Sequence, residues 1–600
     1  MSQVITHPKV DVVVCGCGMT GGTIAAELTN AGYTVVGLEK GPFDNFLVDW
    51  APSNKWDEWA IAVERKFDQP LPISTFTIRN NSDQFALPVR RYTKVIQYHA
   101  VGHAVGGAAT HYGAGMGRYG PWPFQALTAT TNDGLLSVLP SNSDLQDWPI
   151  TYDDAVPYYE QWEMAMGITG TNQEPFIPFN GFTYPLPPHP ATPVGTYFSK
   201  IATELGYHPN PAVSAITSQA YTNQYGLSRY PCIYCGWCDG LCNYQCEVGA
   251  KSSSHVATIP YALSTGKFDL RTYSYIFRID MNSSGTQAEA VRYYDIQGNV
   301  HVQPCSVVSN NLWTYNLTRL MLLSGASAPY DPANPVGSVG RGLMHGYAPT
   351  ASSISGTLPA SAVGGTGFNA YPSGNAAGGS YQILDFADDN FSHAGLNFLG
   401  GAAISFGGYL GSAPSLITTN SPGATNWGSA WKAGLKNQKI PSSWPIAASP
   451  TGPHLPTTDW YISLDPVYKD MYGDPEARIT LDWSFNQWRV ATYMVQNVLP
   501  NILQKMGVQN INTTIVPENS SHNDWWGHHM RGGCRMGADS SSSVFNKWLQ
   551  AWDVENIFAS SEGTNTFGDN VTAGTHVAGM QSYLEADGIK KYLVNPGPLV

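Results

Sequence analysis

The chain has 600 residues with 31 Lys or Arg against 44 Asp or Glu, a formal net charge of −13, which excludes a nucleic-acid binder working through a basic stripe. At 42% hydrophobic and 12% charged residues it has ample material for a core, and disorder would need fewer apolar residues and more net charge. Its length exceeds one ordinary domain of about 100–200 residues, its 61 Gly and 42 Pro predict many turns and long shaped loops, and its 18 Trp and 33 Tyr suit contact with proteins or with neutral polar ligands such as sugars.

Met1 to Pro8 lacks the basic and apolar regions of a signal peptide. No run reaches the ~18 apolar residues that span a bilayer. Val10–Val14 then reads as a strand, Gly16-Cys17-Gly18-Met19-Thr20-Gly21 as a turn, Thr23–Leu28 as helix, and Tyr33–Leu38 as a second strand ending at Glu39. Each glycine has a task in dinucleotide binding. Gly16 permits the tight turn, Gly18 lets backbone approach a pyrophosphate, and Gly21 lets the helix pack close to the strand. The helix N-terminus faces the phosphates with its positive end. Glu39 accepts hydrogen bonds from ribose hydroxyls, which disfavours NADP but does not separate NAD from FAD. A chance glycine-rich turn is the competing reading, and strand, helix, strand and acid together outweigh it.

A second glycine cluster follows at 101–117. Its stretch Val105-Gly106-Gly107-Ala108-Ala109-Thr110-His111-Tyr112-Gly113 suits a backbone passing close to a flat ring; by itself it reads equally as a loop. Residues 135–225 are rich in Pro, Tyr and Trp. Then come Cys232, Cys235, Cys238, Cys242 and Cys246, apart from Cys15, Cys17, Cys305 and Cys534. One tight cluster in a large chain is not a disulfide scaffold. Zinc wants four ligands, often as two separated pairs. The tight run resembles iron–sulfur ligation more closely, with zinc and disulfides left open, and with three or four of the five as ligands.

Beyond the cysteines, Val256–Leu263 predicts a helix and Phe268–Asp280 an extended segment. Val291–Tyr294 and Val300–Val302 predict a hairpin around Gln297-Gly298-Asn299. Residues 330–450 are rich in Gly, Ser, Ala and Pro, but regularly spaced aromatics argue against disorder. Trp488–Met506 predicts an amphipathic helix kinked or broken at Pro500. There is no internal repeat. Near the C-terminus stands His528-His529-Met530-Arg531-Gly532-Gly533-Cys534-Arg535-Met536-Gly537, and later Asp569-Asn570-Val571-Thr572. A histidine near a Gly-Gly turn can serve as a general base and an asparagine amide can hold the same oxygen. Without context these read as satisfied loop residues.

Taken together, these motifs resemble the glucose–methanol–choline (GMC) oxidoreductase family. The likeness rests on Val12–Gly21 with Glu39, on Val105-Gly106-Gly107, and on the C-terminal His529, Gly533–Gly537 and Asn570-Val571-Thr572. Val339-Gly340-Arg341-Gly342-Leu343-Met344-His345 is similar to the family's V-G-R-N-L-x-D-H. Cys246–Lys251, Trp460–Asp482, Ser543–Trp548 and Trp552–Asn556 are most similar to the large flavoprotein subunits of bacterial gluconate, fructose and sorbitol dehydrogenases. Residues 345–450 match poorly. Val571 replaces the proline of N-P-T, His576 adds a histidine nearby, Gly342 stands where the family often has Asn, Gly346 where it has a comparable polar residue, and Cys242 belongs to a short insertion.

The resemblance implies an α/β fold with a discontinuous Rossmann-like FAD-binding domain from 1–134, 225–345 (with the cysteine cluster) and 525–600. A substrate domain with a mixed or antiparallel sheet would come from 135–224 and 346–524. It implies FAD held by Gly16, Gly18, Gly21, Glu39, Gly106, Gly107 and His111. It implies oxidation of a hydroxyl of a sugar, sugar acid or polyol, with His529 as base ahead of His528, Asn570 as its partner, and hydride passing to flavin N5. Electrons would leave through an iron–sulfur cluster on Cys232, Cys235, Cys238, Cys242 and Cys246, three-iron rather than four-iron, to a cytochrome c or quinone. Thr110-His111-Tyr112 is similar to the S-T-H-W stretch through which pyranose oxidases link a histidine to flavin, although related subunits also bind FAD non-covalently. The implied partners are a small chaperone-like subunit bearing a twin-arginine signal and a haem c subunit. The implied place is the periplasmic face of the cytoplasmic membrane, peripheral and held through those partners; a cytoplasmic enzyme is the alternative. A GMC oxidase using oxygen and a non-catalytic flavin/iron–sulfur carrier are the competing functions, and the substrate stays open.

Overall fold

The computed structural model describes residues 3–49, 76–80, 90–92, 102–234, 245–346, 352–363, 379–407, 428–430, 443–448, 450–481, 484–517, 529–568 and 574–599. Val12, Val13 and Val14 are fully buried, as a strand covered on both faces demands, and they lie in β1 (Val10–Cys15). The turn after it leads into α1 (Met19–Asn30), and β2 (Val35–Leu38) returns beside β1 in parallel. This is the expected βαβ unit. Its continuous valine run, rather than an alternation, is the mark of a parallel strand buried on both faces.

The main sheet continues through β3 (Phe268–Arg271), β4 (Tyr275–Met281), β5 (Ala288–Tyr294) and β6 (Val300–Asn310), in the order β4-β5-β6-β1-β2-β3. The long β6 serves two neighbours. Its first half pairs antiparallel with β5, and from Cys305 onward it pairs parallel with β1. Val4–Thr6 and Ile557–Phe558 also pair with β6, so segments from both ends of the chain and its middle meet in one sheet. The predicted hairpin is present, with Tyr294 opposite Val300. The predicted extended run Phe268–Asp280 is instead two strands at opposite ends of the order, divided where Tyr273 takes a left-handed conformation, φ 53°. Val256–Leu263 is likewise divided. Two short helices, Ser254–Ala257 and Ile259–Ser264, meet at Thr258, and Pro260, lacking an N–H, starts the second.

A mixed sheet pairs Tyr461–Lys469, Pro475–Leu481, Phe76–Asn80 and Arg90–Tyr92, and an antiparallel one pairs Ser443–Ala448, Ser353–Pro359 and Gln509–Thr514. Against the latter lies the predicted long helix, burying Val490, Met494, Leu499 and Ile502. Helices Phe485–Tyr493 and Leu499–Lys505 flank a π turn at Met494–Val498. That wider turn sits just before Pro500 and absorbs the clash of its ring with the preceding carbonyls. Among the described residues no helix is long and apolar enough to cross a membrane.

Candidate active site

The first glycine turn is built tightly. The Gly16 N–H donates to Leu38 O at 2.8 Å, tying the turn to β2. A methyl group on Gly21 would lie 2.0 Å from Gly16 O, so only glycine lets α1 approach its strand this closely. α1 begins at Gly18 with no side-chain cap and no acid in its first turn, leaving its N–H groups for an incoming anion. Glu39, 7% exposed, accepts from the N–H groups of Cys17 and Gly41, each at 3.0 Å, and burial pushes its carboxyl up.

The second glycine cluster lies directly on the first. The Gly106 N–H donates to Cys17 O at 2.8 Å. Gly107, at φ 59°, has its missing Cβ position 3.1 Å from Gly18 Cα. Two motifs distant in sequence thus form one backbone cradle, with a helix N-terminus for a pyrophosphate, a buried acid for a ribose and a glycine shelf for a ring. These residues fit FAD. His111 follows the short turn Gly107–Thr110 and is buried at 7% exposure.

A chain of contacts links this cradle to the C-terminal motif. Leu312 touches the position of a Gly16 side chain at 3.0 Å. Next to it, Trp313 Nε1 donates to Glu562 Oε2 at 3.2 Å, and Thr314 Oγ1 donates to Met530 O at 2.6 Å. Met530-Arg531 pairs antiparallel with Met344-His345. The Gly346 N–H donates to His529 O at 2.7 Å. His529 itself is held in the left-handed region, φ 60°, uncommon outside glycine and frequent where a site imposes strain. Burial pushes its imidazole down to about 3, aided by the nearby Arg531 and His345. His454 is pushed down to about 3 in the same way, by burial and by His345. Its Nδ1 accepts the His345 N–H at 2.7 Å, and its ring meets Trp460 edge-on, centroids 4.2 Å apart. His529 is therefore neutral at ordinary pH, the form a general base needs.

Arg531 is 2% exposed and lies 5.6 Å from the Tyr119 ring centroid. Burial pushes the Glu562 carboxyl up against the pull of Arg531 and Trp313. His528 and Asn570 lie outside the described residues. The segment carrying Asn570 is flanked by Gly568 and Gly574, whose missing Cβ positions are 2.4 Å from Arg531 Nη1 and 3.0 Å from Arg531 Nε. Both flanks of that segment therefore pack on the residue two places after His529.

His576 is fully buried in α3 (Gly574–Val594), with Nε2 3.1 Å from Glu163 Oε1. Glu163, on α2 (Tyr152–Met166), accepts from Arg118 Nε at 2.7 Å and Nη2 at 2.6 Å. A second ion cluster joins Asp144 to Arg341 and Arg535. The departure at Gly342 follows from it: a Cβ there would lie 2.3 Å from Arg535 Cζ.

Cys232 and Cys246 are half-buried; Cys235, Cys238 and Cys242 lie outside the described residues. Among the described residues no group of three or more His, Cys, Asp or Glu is arranged to hold a metal. Cys15, Cys17, Cys305 and Cys534 are buried, with thiols pushed up by burial. Sequence reasoning did not single out His345, His454, Arg531 or Tyr119 as site residues. His345 and Arg531 lay inside quoted motifs, but His454 and Tyr119 have no local signature and join the site only through tertiary packing.

A model of the GMC oxidoreductase family matches residues 456–561. The chain is 33% identical to the gluconate 2-dehydrogenase flavoprotein of Pantoea cypripedii, over 99% of this chain and 95% of that one. It is 25% identical to the fructose dehydrogenase large subunit of Gluconobacter japonicus, over 97% and 98% of the two chains. Its fold is similar to that of pyridoxine 4-oxidase from Mesorbium loti, with a TM-score of 0.56 and 15% identity, covering 98% of this chain and 100% of that one.

Proposed function

Since the chain belongs to the GMC oxidoreductase family, FAD-dependent oxidoreductases acting on CH–OH groups, we propose that it is a dehydrogenase of a sugar, sugar acid or polyol with His529 as its base. The observation that carries this reading is the placement of His529, in a left-handed turn two residues before the buried Arg531 and joined to the glycine cradle through Met530, Thr314 and Leu312. An imidazole nitrogen of His529 takes the hydroxyl proton of the substrate. The Asn570 amide donates a hydrogen bond to the same oxygen. Arg531 disfavours a lasting positive charge on His529, so the proton is passed on readily. Glu39 holds the ribose, and the first turn of α1 holds the pyrophosphate. Bound FAD supplies the hydride acceptor.

Cys232, Cys235, Cys238, Cys242 and Cys246 would hold an iron–sulfur centre, which would supply one-electron transfer toward a cytochrome c or quinone. Support comes from five thiols within one short stretch. Two relatives named as a flavoprotein and a large subunit support a chain that works with partner subunits; its place at the periplasmic face of the cytoplasmic membrane rests on the family resemblance alone. An anaerobic screen of sugars, sugar acids and polyols, watching flavin bleaching, tests the reading, and iron and acid-labile sulfide assays test the centre. Bleaching by one class and dye reduction faster than oxygen uptake are expected. Rapid peroxide formation by an iron-free chain would overturn it.

A further inference from the structure

Three parallel strands end at one level beside the first glycine turn. Ser309 of β6 stands opposite Val14 of β1 and opposite Phe558 of the short strand Ile557–Phe558. Ligands of such sheets bind at the carboxyl ends of the strands. Glu585 of α3 is bonded to this level and is 0% exposed. Ser309 Oγ lies 2.6 Å from Glu585 Oε1 and 2.7 Å from Asn311 Oδ1. Asn311 Nδ2 donates to Glu585 Oε2 at 2.9 Å and to Ser560 Oγ at 3.2 Å. Counting protons fixes the state of Glu585. The Ser309 hydroxyl has one hydrogen and stands between two oxygens, and the amide oxygen of Asn311 has none to give. Both contacts are completed only when Glu585 carries a proton and donates it to Ser309 Oγ, while Ser309 donates to Asn311. Turning the Asn311 amide over does not remove the need. Its oxygen would then face Glu585 Oε2 at 2.9 Å, and that contact also calls for a proton on the carboxyl. Burial acts in the same sense, pushing the carboxyl up to about 7 against the hydrogen bonds of Ser309, Ser560 and Asn311. Among the described residues the titratable group that faces Glu585 is Cys15 of β1, whose thiol burial pushes up and keeps uncharged.

We infer that Glu585 is a positioning residue that works as a neutral acid: protonated, it sets the floor of the pyrophosphate turn, and ionised, it loosens FAD. This rests on the FAD reading of the cradle given above and adds to it the residue that makes flavin retention depend on pH. The link to the cradle is direct. The Asn311 N–H donates to Cys15 O at 3.0 Å, and Asn311 O lies 3.5 Å from the position of a Gly16 side chain. Gly16 opens the turn that leads into the uncapped first turn of α1, the anion-binding end of that helix. Removing the proton has two effects. Ser309 must turn its only hydrogen from Asn311 to Glu585, which releases one side of the residue that props Gly16. A buried negative charge also comes to lie behind a turn whose ligand is itself an anion, in an interior that screens little. A carboxyl held high in the folded protein adds stability that is fully present below its ordinary pKa and is lost as pH rises through the folded value. The hold on flavin therefore weakens on the alkaline side, from about 7 upward.

The test uses the full flavin-loaded chain as wild type, Glu585→Gln and Glu585→Leu. Glutamine copies the neutral acid: its amide nitrogen donates to Ser309 where the carboxyl proton did, and its oxygen accepts from Asn311. Leucine removes both bonds. Flavin released into the filtrate is measured from about pH 6 to about pH 9, and circular dichroism records the fold. In wild type the dissociation constant for flavin should be flat on the acid side and rise above about 7. The rise should reach at most about tenfold per pH unit, the limit for one proton. Glu585→Gln should keep flavin and show no such rise, and Glu585→Leu should hold flavin more weakly at every pH. The same alkaline rise in Glu585→Gln, a wild type whose affinity does not change with pH, or a leucine variant as tight as wild type would overturn the inference while leaving the FAD reading intact. A glutamine variant that fails to fold or to load flavin on the acid side would also overturn it, since glutamine matches the neutral acid bond for bond. A wild-type chain that takes up no flavin at any pH would overturn the FAD reading and this inference with it.

Discussion

Replacing Glu163 by Gln probes how the terminal helix is held next to the site. The Glu163 and Arg118 side chains are both 0% exposed, with the carboxylate gripped at 2.7 and 2.6 Å. Although burial pushes the Glu163 carboxyl up, the hydrogen bonds and charge of Arg118, and then His576, hold it below its ordinary value. Removing one member of a buried pair leaves a bare charge and costs about 3–5 kcal/mol. The aromatic rings around Arg118, with centroids 4.9 Å away for Phe179, 5.2 Å for Phe182 and 5.5 Å for Tyr159, are present in both proteins and cancel. The amide oxygen of Gln still accepts one bond, which recovers about 1 kcal/mol. Glu163→Gln should therefore lose about 2–4 kcal/mol, read by urea unfolding of the flavin-loaded chain at pH 7. The double replacement Arg118→Met with Glu163→Leu should lose less than the single, because no charge is left behind. A carboxyl held low in the folded state stabilises above its ordinary pKa, and that stability is lost as pH falls through the folded value. The gap between wild type and Glu163→Gln should thus shrink on acidification below about 4.5. A single variant within about 1 kcal/mol of wild type, or a double no better than the single, would refute the reasoning.

His529→Ala should slow flavin reduction by substrate about 10²–10⁴-fold with flavin retained, measured by stopped flow. If His528→Ala is the crippled variant instead, the base is the neighbouring residue. Because His529 is pushed down to about 3, its protonation should not limit the rate between pH 5 and 8; a limb near pH 6.5 that disappears in His529→Ala would contradict this. Glu39→Ala should lose flavin without losing the fold, and recovery of a fully yellow protein would argue against its ribose role. Acid precipitation should leave the flavin in the supernatant, with His111 unlinked; flavin in the pellet would show a covalent bond.

The path from residues to site was legible wherever the physics is local. β1, α1, β2 and Glu39 follow from a valine run, three glycines at set spacing and an acid at a strand end. The hairpin around Gly298 follows from alternation about a turn. Local pattern failed at Phe268–Asp280, where nothing in the composition marks the left-handed Tyr273 that sends two strands to opposite ends of the sheet order. It also failed at Thr258, because a helical hydrophobic pattern runs unbroken across it.

The sequence by itself determined the dinucleotide unit, the two glycine motifs, the histidine-bearing C-terminal motif and the thiol cluster, since each is a chemical requirement met within a few residues. Only the tertiary structure decided that Gly107 lies on Gly18, that His345 and Arg531 flank His529, and that His454 backs His345. Those relations join residues far apart in the chain. What sets them is which side chains share a dehydrated interior, where an unpaired charge or a neutral imidazole takes its properties from neighbours that no local pattern names.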